Sequence, residues 1–273
     1  MTRKRYKKKK KTLVSIVIPV YRRFDLLEKC LESLPGAFGD IPYEVIMIDN
    51  ASPADEAKPF YEKWKQHRVV RNGQNLGFVK ACNRGANLAN SPLLFFLNSD
   101  VVMNSGSGNL LVRAMDDPEV GICGMKLLFP VDDTTKGGAV GPAGKVQHVG
   151  LSTNIKGHFY HHFGGWSPDN PRVQKLRDVY VVTGAALMVR RQLFQKIGKF
   201  FDGYGMGTFE DVELCVACRD LGYNVIVEPQ AVGTHYTGAT AREYGLGYNL
   251  RSNEMLFRQR WLQKIMWTEW NIL

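Results

Sequence analysis

Short unbroken apolar runs alternate with segments of helical periodicity through residues 13–100 of the chain. Leu13-Val14-Ser15-Ile16-Val17-Ile18-Pro19-Val20 is a β-branched run closed by proline, and Leu27, Leu31 and Leu34 follow at helical spacing, so a strand feeds a helix. Glu44-Val45-Ile46-Met47-Ile48 predicts a second buried strand, ended by the turn formers Asp49-Asn50-Ala51-Ser52-Pro53. Arg68-Val69-Val70 predicts a short third strand. Asn75-Leu76-Gly77-Phe78 then opens a helix whose small residues, Ala81, Cys82, Gly85, Ala86 and Ala89, permit close packing. Leu93-Leu94-Phe95-Phe96-Leu97 is a fourth strand with Asn98-Ser99-Asp100 at its carboxyl end. Strands alternating with helices imply a mainly parallel sheet, whose ligands gather beyond the carboxyl ends of the strands. That rule puts Tyr21, Asp49, Asn98 and Asp100 on one rim.

The second half is patterned differently. Between Phe129 and Gly150 the composition turns to glycine, threonine, Asp132 and Asp133, which predicts a mobile excursion within a single domain and no regular structure before Val146. His148, His158, His161 and His162 follow among glycines and aromatics. Loop histidines at irregular spacing serve hydrogen bonds or pocket walls more often than metal. Val179 to Met188 reads as a buried strand or bend beneath a site. The glycine-rich run Phe201 to Gly207 leads to Glu210 and Asp211, ahead of a helix read from Leu214, Cys218 and Leu221 and ended by Gly222. Val225-Ile226-Val227 predicts a strand, and His235 follows. From the residues alone two readings stand open: Glu210 and Asp211 as loop carboxylates facing a cleft, or Asp211 and Glu213 as acids that only favour a helix N-terminus.

Composition changes this picture at the edges. At 273 residues and 44% hydrophobic content the chain has ample material for a packed core, which excludes disorder throughout. The net charge of +10 is concentrated in residues 1–11, where Arg3, Arg5 and six lysines leave only +2 for the remainder. Such an arm reads as a solvated tail, with attraction to anionic lipid as the second reading. Five cysteines with no framework spacing suit free thiols in a reducing compartment, and Cys215-x-x-Cys218 falls within the predicted helix rather than in a metal knuckle. Without a long apolar stretch or a signal sequence, the expectation is a cytoplasmic protein. Near the end, Trp261, Leu262, Ile265, Met266, Trp267 and Trp270 mingle with Arg258, Arg260 and Lys264. That mixture suits a helix packed on the domain, or one touching the inner face of a membrane.

Several short motifs occur in a telling order. Ile16-Val17-Ile18-Pro19-Val20-Tyr21, Ile48-Asp49-Asn50-Ala51-Ser52, Asn75-Leu76-Gly77-Phe78 with Asn83 and Gly85, and Leu97-Asn98-Ser99-Asp100 resemble the donor-binding half of family 2 glycosyltransferases. Thr183 to Arg191, Phe209-Glu210-Asp211-Val212-Glu213-Leu214, Gly222-Tyr223 and His235 resemble the acceptor half, in its rhamnosyltransferase-like branch. The resemblance implies a GT-A fold, a single α/β domain over residues 12–240 with a Rossmann-like nucleotide-binding half and a mixed central β-sheet. Its donor half would cover about 12–125 and its acceptor half about 145–240, with a helical extension over 241–273. It also implies inverting transfer of a sugar from a nucleotide diphosphate donor to a saccharide or lipid-linked hydroxyl. By resemblance Pro19 and Tyr21 shape the nucleotide pocket with Asn98, and Asp49 hydrogen-bonds the base. Asp100, with His235, would hold a divalent cation, Mg²⁺ or Mn²⁺. Asp211 would be the catalytic base and Glu210 an acceptor contact. Three positions depart from the pattern: Asn98 stands where many relatives carry aspartate, Glu213 replaces an aspartate, and Ala217 an arginine.

Two further functions fit parts of the sequence. The basic arm would attract nucleic acid, although the nearly neutral body gives no specific nucleic-acid surface. Asn98 would suit a catalytically silent module that binds sugar nucleotides.

Overall fold

The computed structural model describes residues 12–132, 141–153, 159–175 and 177–270. The polybasic arm, Asp133, His158 and the side chains of Leu262 and of residues 264–270 lie outside that description.

The first four strands are those the apolar runs predict: β1 (Val14–Val20), β2 (Tyr43–Asp49), β3 (Arg68–Arg71) and β4 (Leu93–Leu97). They pair in parallel in the order β4-β1-β2-β3. Helices α1 (Phe24–Phe38), α2 (Ala54–Lys63) and α3 (Gly77–Leu88) connect them. Because strand side chains alternate, neighbours in one strand enter different cores. Ile16, Ile18, Met47 and Phe95 pack on one face with Leu27, Leu31 and Leu34 of α1, while Val17, Ile46, Ile48 and Phe96 pack on the other with α3.

Beyond β4 come β5 (Val101–Met103), α4 (Ser107–Ala114) and the long β6 (Val120–Leu128). Three short strands follow, β7 (Val146–His148), β8 (Leu151–Thr153) and β9 (Phe159–His161), the last two forming a hairpin of their own. Then come β10 (Arg177–Asp178), β11 (Ala186–Arg190), α5 (Arg191–Ile197), α6 (Glu210–Asp220) and β12 (Asn224–His235). Two helices, α7 (Ala239–Tyr244) and α8 (Leu250–Trp270), close the chain. The main sheet has the order β10-β12-β6-β11-β4-β1-β2-β3, and β11 runs antiparallel to both β4 and β6. The sheet is therefore mixed rather than mainly parallel, and the chain is one α/β domain around it.

The apolar run from Val179 forms a strand only from Ala186 onward. Its earlier part is irregular: Val179 N–H donates to Val225 O of β12, and Gly184 turns its N–H toward Asp211 instead of a sheet partner. His148 and His161, read as loop residues, end short strands. His148 is buried, and its Nε2 accepts the backbone N–H groups of Gly150 and Thr183 at 3.2 Å each.

The small residues of α3 are required by its distance from the sheet. A Cβ on Gly85 would lie 2.3 Å from Val17 Cγ1 and 3.3 Å from Ile48 Cγ1, both within one packed core. Gly85→Ala is therefore expected to lower stability by about 1–3 kcal/mol in denaturant unfolding, as overpacking of a filled core does. An unchanged midpoint would show that α3 shifts freely over the sheet.

Candidate active site

Two adjoining cavities open at the carboxyl ends of β1, β2 and β4, the rim that the sheet rule picks out. The first, of about 130 Å³, is walled by Pro19 near the end of β1 and Tyr21 just past it, Asn50 beyond β2, Phe78 of α3, and Asn98 and Asp100 beyond β4. Gly238 to Tyr248, around α7, cover it. The second, of about 220 Å³, is walled by Thr183, Gly184, Glu210, Asp211 and His235. Phe78, Asn98 and Tyr248 line both, so a molecule in one can reach the other.

The strand ends are braced by hydrogen bonds among loop residues. Asp49 is wholly buried, its Oδ1 accepting Ser52 N–H at 2.9 Å and its Oδ2 accepting Arg71 Nε at 2.7 Å. Asp49 thus lies beneath the first cavity with both oxygens engaged, and the wall position belongs to its neighbour Asn50. The Asn50 Oδ1 accepts Asn72 Nδ2 at 2.7 Å, and its Nδ2 donates to Gly77 O at 3.2 Å, leaving one N–H of that amide. Sequence reasoning passed over Asn50 although it stands inside the Ile48 to Ser52 motif. Tyr21 meets Tyr244 of α7 edge to face at 6.0 Å, which ties the rim to its cover.

Asp100 and His235 come together from distant strands, because β12 runs alongside β5 and the register sets His235 opposite Val101. His235 Nε2 lies 3.3 Å from Asp100 Oδ1. The other ring nitrogen, Nδ1, contacts Gln147 Oε1 at 2.8 Å. Gln147 Nε2 donates to His235 O and to Thr237, which fixes the amide so that Oε1 must accept from Nδ1–H. In the neutral ring Nε2 is then a lone pair facing a carboxylate oxygen. Two acceptors at that distance attract only through a positive charge between them, a proton or a metal ion. Among the described residues no group of three or more His, Cys, Asp and Glu side chains stands ready to hold a metal. Any ion here would need oxygens from elsewhere.

Glu210 and Asp211 occupy the first turn of α6 rather than a loop ahead of it. Phe209 before them has φ 69°, in the left-handed region, and the turn this makes points both acids into the second cavity. Asp211 Oδ2 accepts Gly184 N–H and Oδ1 accepts Val212 N–H, each at 2.8 Å. Burial raises its pKa above the ordinary value while these two donors pull it back. Glu210 is buried as well, and its Oε2 has no hydrogen-bond partner. Burial, then the neighbouring Asp211 charge, push its pKa up to about 8. Asn98 Oδ1 is a second buried polar atom without a partner, on the wall common to both cavities. Such atoms are costly unless a ligand satisfies them.

The sign of the Glu210 shift gives a stability prediction. A carboxyl protonated in the folded chain and ionised in the unfolded one makes the fold less stable as pH rises from about 4.5 to about 8. Glu210→Gln, a neutral mimic of the acid form, is expected to melt increasingly above the parent as pH passes through that window. A constant gap in thermal midpoint would mean that Glu210 is ionised in the folded protein throughout.

Residues 15–198 match the family described as Glycosyl transferase family 2. The chain belongs to glycosyltransferase family 2. It is 30% identical over 239 residues to the O-antigen biosynthesis protein RfbC of Myxococcus xanthus, covering 84% of this chain and 18% of that protein. It is 27% identical over 245 residues to the N-acetylglucosaminyl-diphospho-decaprenol L-rhamnosyltransferase of Mycobacterium tuberculosis, covering 82% of this chain and 76% of that one. The fold is similar to that of GalNAc-T7, solved with UDP, GalNAc and Mn²⁺, with a TM-score of 0.64, 15% identity, and coverage of 84% of this chain and 44% of that one. The family's GT-A architecture thus accounts for the mixed sheet. This chain spans less than a fifth of the Myxococcus relative. Among the described residues no helix is long and apolar enough to cross a membrane.

Proposed function

We propose that this domain transfers a sugar from a nucleotide diphosphate donor to a hydroxyl acceptor with inversion, in the assembly of a glycoconjugate. The observation that carries the reading is the second cavity, where Asp211, held by two backbone N–H groups, and Glu210 beside it on α6 share one chamber with His235, itself against Asp100.

The first cavity suits the nucleotide. Pro19 and Tyr21 flank it, and Asn50 offers its free N–H to the base, with Asp49 holding the loop from beneath. The pair Asp100 and His235 would hold a divalent cation, Mg²⁺ or Mn²⁺, through one carboxylate oxygen and one imidazole nitrogen. Bound there, the ion would neutralise charge on the departing diphosphate. The GalNAc-T7 structure, which contains UDP and Mn²⁺, supports that assignment.

Asp211 serves as the base. Its oxygens keep lone pairs beyond those taken by Gly184 and Val212, and one of these accepts the proton of the attacking hydroxyl as the oxygen closes on the anomeric carbon. The two backbone donors orient the carboxylate before substrate arrives. Glu210, largely protonated at neutral pH, donates its free O–H to an acceptor hydroxyl, and Asn98 accepts one from the sugar through its buried Oδ1. The lipid-linked saccharide named for the mycobacterial relative supports an acceptor of the same class, met at a membrane surface.

The test is a set of UDP-, GDP- and dTDP-sugars, with and without Mn²⁺, read by thermal stabilisation and by release of nucleoside diphosphate. Mn²⁺-dependent stabilisation and turnover of one donor are expected. Stabilisation without turnover, with any acceptor hydroxyl tried, would favour a silent sugar-nucleotide-binding module, and no stabilisation by any donor would overturn both.

A further inference from the structure

The turn that presents the two acids has a backbone its own residues disfavour. Gly205 and Gly207 have φ of 61° and 140°, and Thr208 and Phe209 continue at 79° and 69°. Glycine enters this region freely, whereas a β-branched threonine or a phenylalanine stays there only when its surroundings force it.

What forces it is a side chain of α8. Asn253 is 5% exposed, and its Nδ2 lies 3.0, 2.8 and 3.2 Å from the carbonyl oxygens of Tyr204, Gly207 and Thr208 and 2.9 Å from Thr208 Oγ1, so its two N–H groups are shared among four acceptors. Carbonyl dipoles pointing at one spot repel each other unless a donor sits among them, and Asn253 is that donor. From the other side, Phe78 N–H donates to Met206 O at 3.0 Å, and a Cβ on Gly77 would lie 2.7 Å from Met206 Cα. The turn is gripped between the start of α3 and α8. Two helical turns further along α8, Arg260 donates to both Glu213 oxygens at 2.8 and 3.1 Å, while the Tyr204 hydroxyl donates to Glu213 at 2.5 Å. The same helix face thus holds the loop and the helix that the loop feeds.

We propose that Asn253 is a positioning residue for the transfer reaction: its amide fixes Thr208 and Phe209 in the left-handed region and so aims Glu210 and Asp211 into the shared cavity. This rests on the reading of Asp211 as the base. Asn253 lines neither cavity, and the donor cavity takes only Met206 from the turn. Loss of the amide therefore acts on turnover and leaves nucleotide affinity almost untouched.

Turnover is measured as nucleoside diphosphate released from whichever UDP-, GDP- or dTDP-sugar the protein cleaves with Mn²⁺, and affinity by calorimetry with the matching nucleoside diphosphate and Mn²⁺. Asn253→Ala is expected to lower kcat by about 10²-fold, the scale set by ångström-sized misplacement of reacting groups, with nucleotide Kd nearly unchanged. Adding Thr208→Gly is expected to recover much of the loss, because glycine takes the left-handed angle without help. If Asn253→Ala does not fold, Asn253→Ser, which keeps one donor, enters the same comparison with the same expected split. Unchanged kcat, a parallel loss of nucleotide affinity, or a double variant no faster than the single one would overturn the proposal. Asp211→Asn is assayed alongside. If it stays active the base assignment has failed, and if it is inactive while Asn253→Ala is normal, only the role of Asn253 has.

Discussion

Asp211→Asn is expected to lower kcat by about 10²–10⁴-fold while nucleotide binding with Mn²⁺ persists, since that range is what a positioned general base contributes. The substitution removes the proposed acceptor of the hydroxyl proton at nearly constant side-chain size. An asparagine can still accept the Gly184 N–H through its oxygen, but its NH₂ then faces the Val212 N–H, so a modest fall in thermal midpoint accompanies the change. Nucleotide affinity separates the two effects, because the donor cavity contains neither Asp211 nor Gly184. The pH profile gives a second check. Burial raises the Asp211 pKa, so the parent's kcat falls off on the acid side above the ordinary carboxylate range, as the base becomes protonated. That limb disappears in the variant. Turnover near that of the parent would remove Asp211 from the mechanism and return the acidic pair to helix electrostatics.

Parts of this site were legible in the sequence for a clear physical reason. Strands buried on both faces are written as continuous apolar runs, so β1, β2 and β4 and the polar residues at their ends could be read directly. Helix α2 has only Ala57 buried, and an almost wholly exposed helix leaves little apolar periodicity to detect. The first turn of α6 escaped for a related reason: its leading residues are acids, so the pattern begins only at Val212 and Leu214, and Glu210 and Asp211 look like loop. Position within a strand end decided the case of Asp49 and Asn50. One residue of shift turns a side chain from one side of the rim to the other, and a motif alone does not say which neighbour faces the cavity. Asn253 had no signal at all. Its partners are carbonyl groups 45 to 49 residues earlier, and carbonyls are common to every residue.

Asp100→Asn should fail in a different way from Asp211→Asn. An amide keeps one oxygen but loses the charge, and in one orientation it presents NH₂ to His235 Nε2, forming a neutral hydrogen bond where the parent has two facing acceptors. The attraction for a cation is then lost twice, through the missing charge and through an occupied imidazole nitrogen. Turnover is expected to fall by at least about 10²-fold, the cost of removing one stabiliser of developing charge. Stabilisation by nucleoside diphosphate should no longer respond to Mn²⁺, whereas in Asp211→Asn it still does. Retention of Mn²⁺-dependent nucleotide stabilisation in Asp100→Asn would place the cation elsewhere. The charge of the departing diphosphate would then be met by a cation held by other residues, and the contact between Asp100 and His235 would be structural.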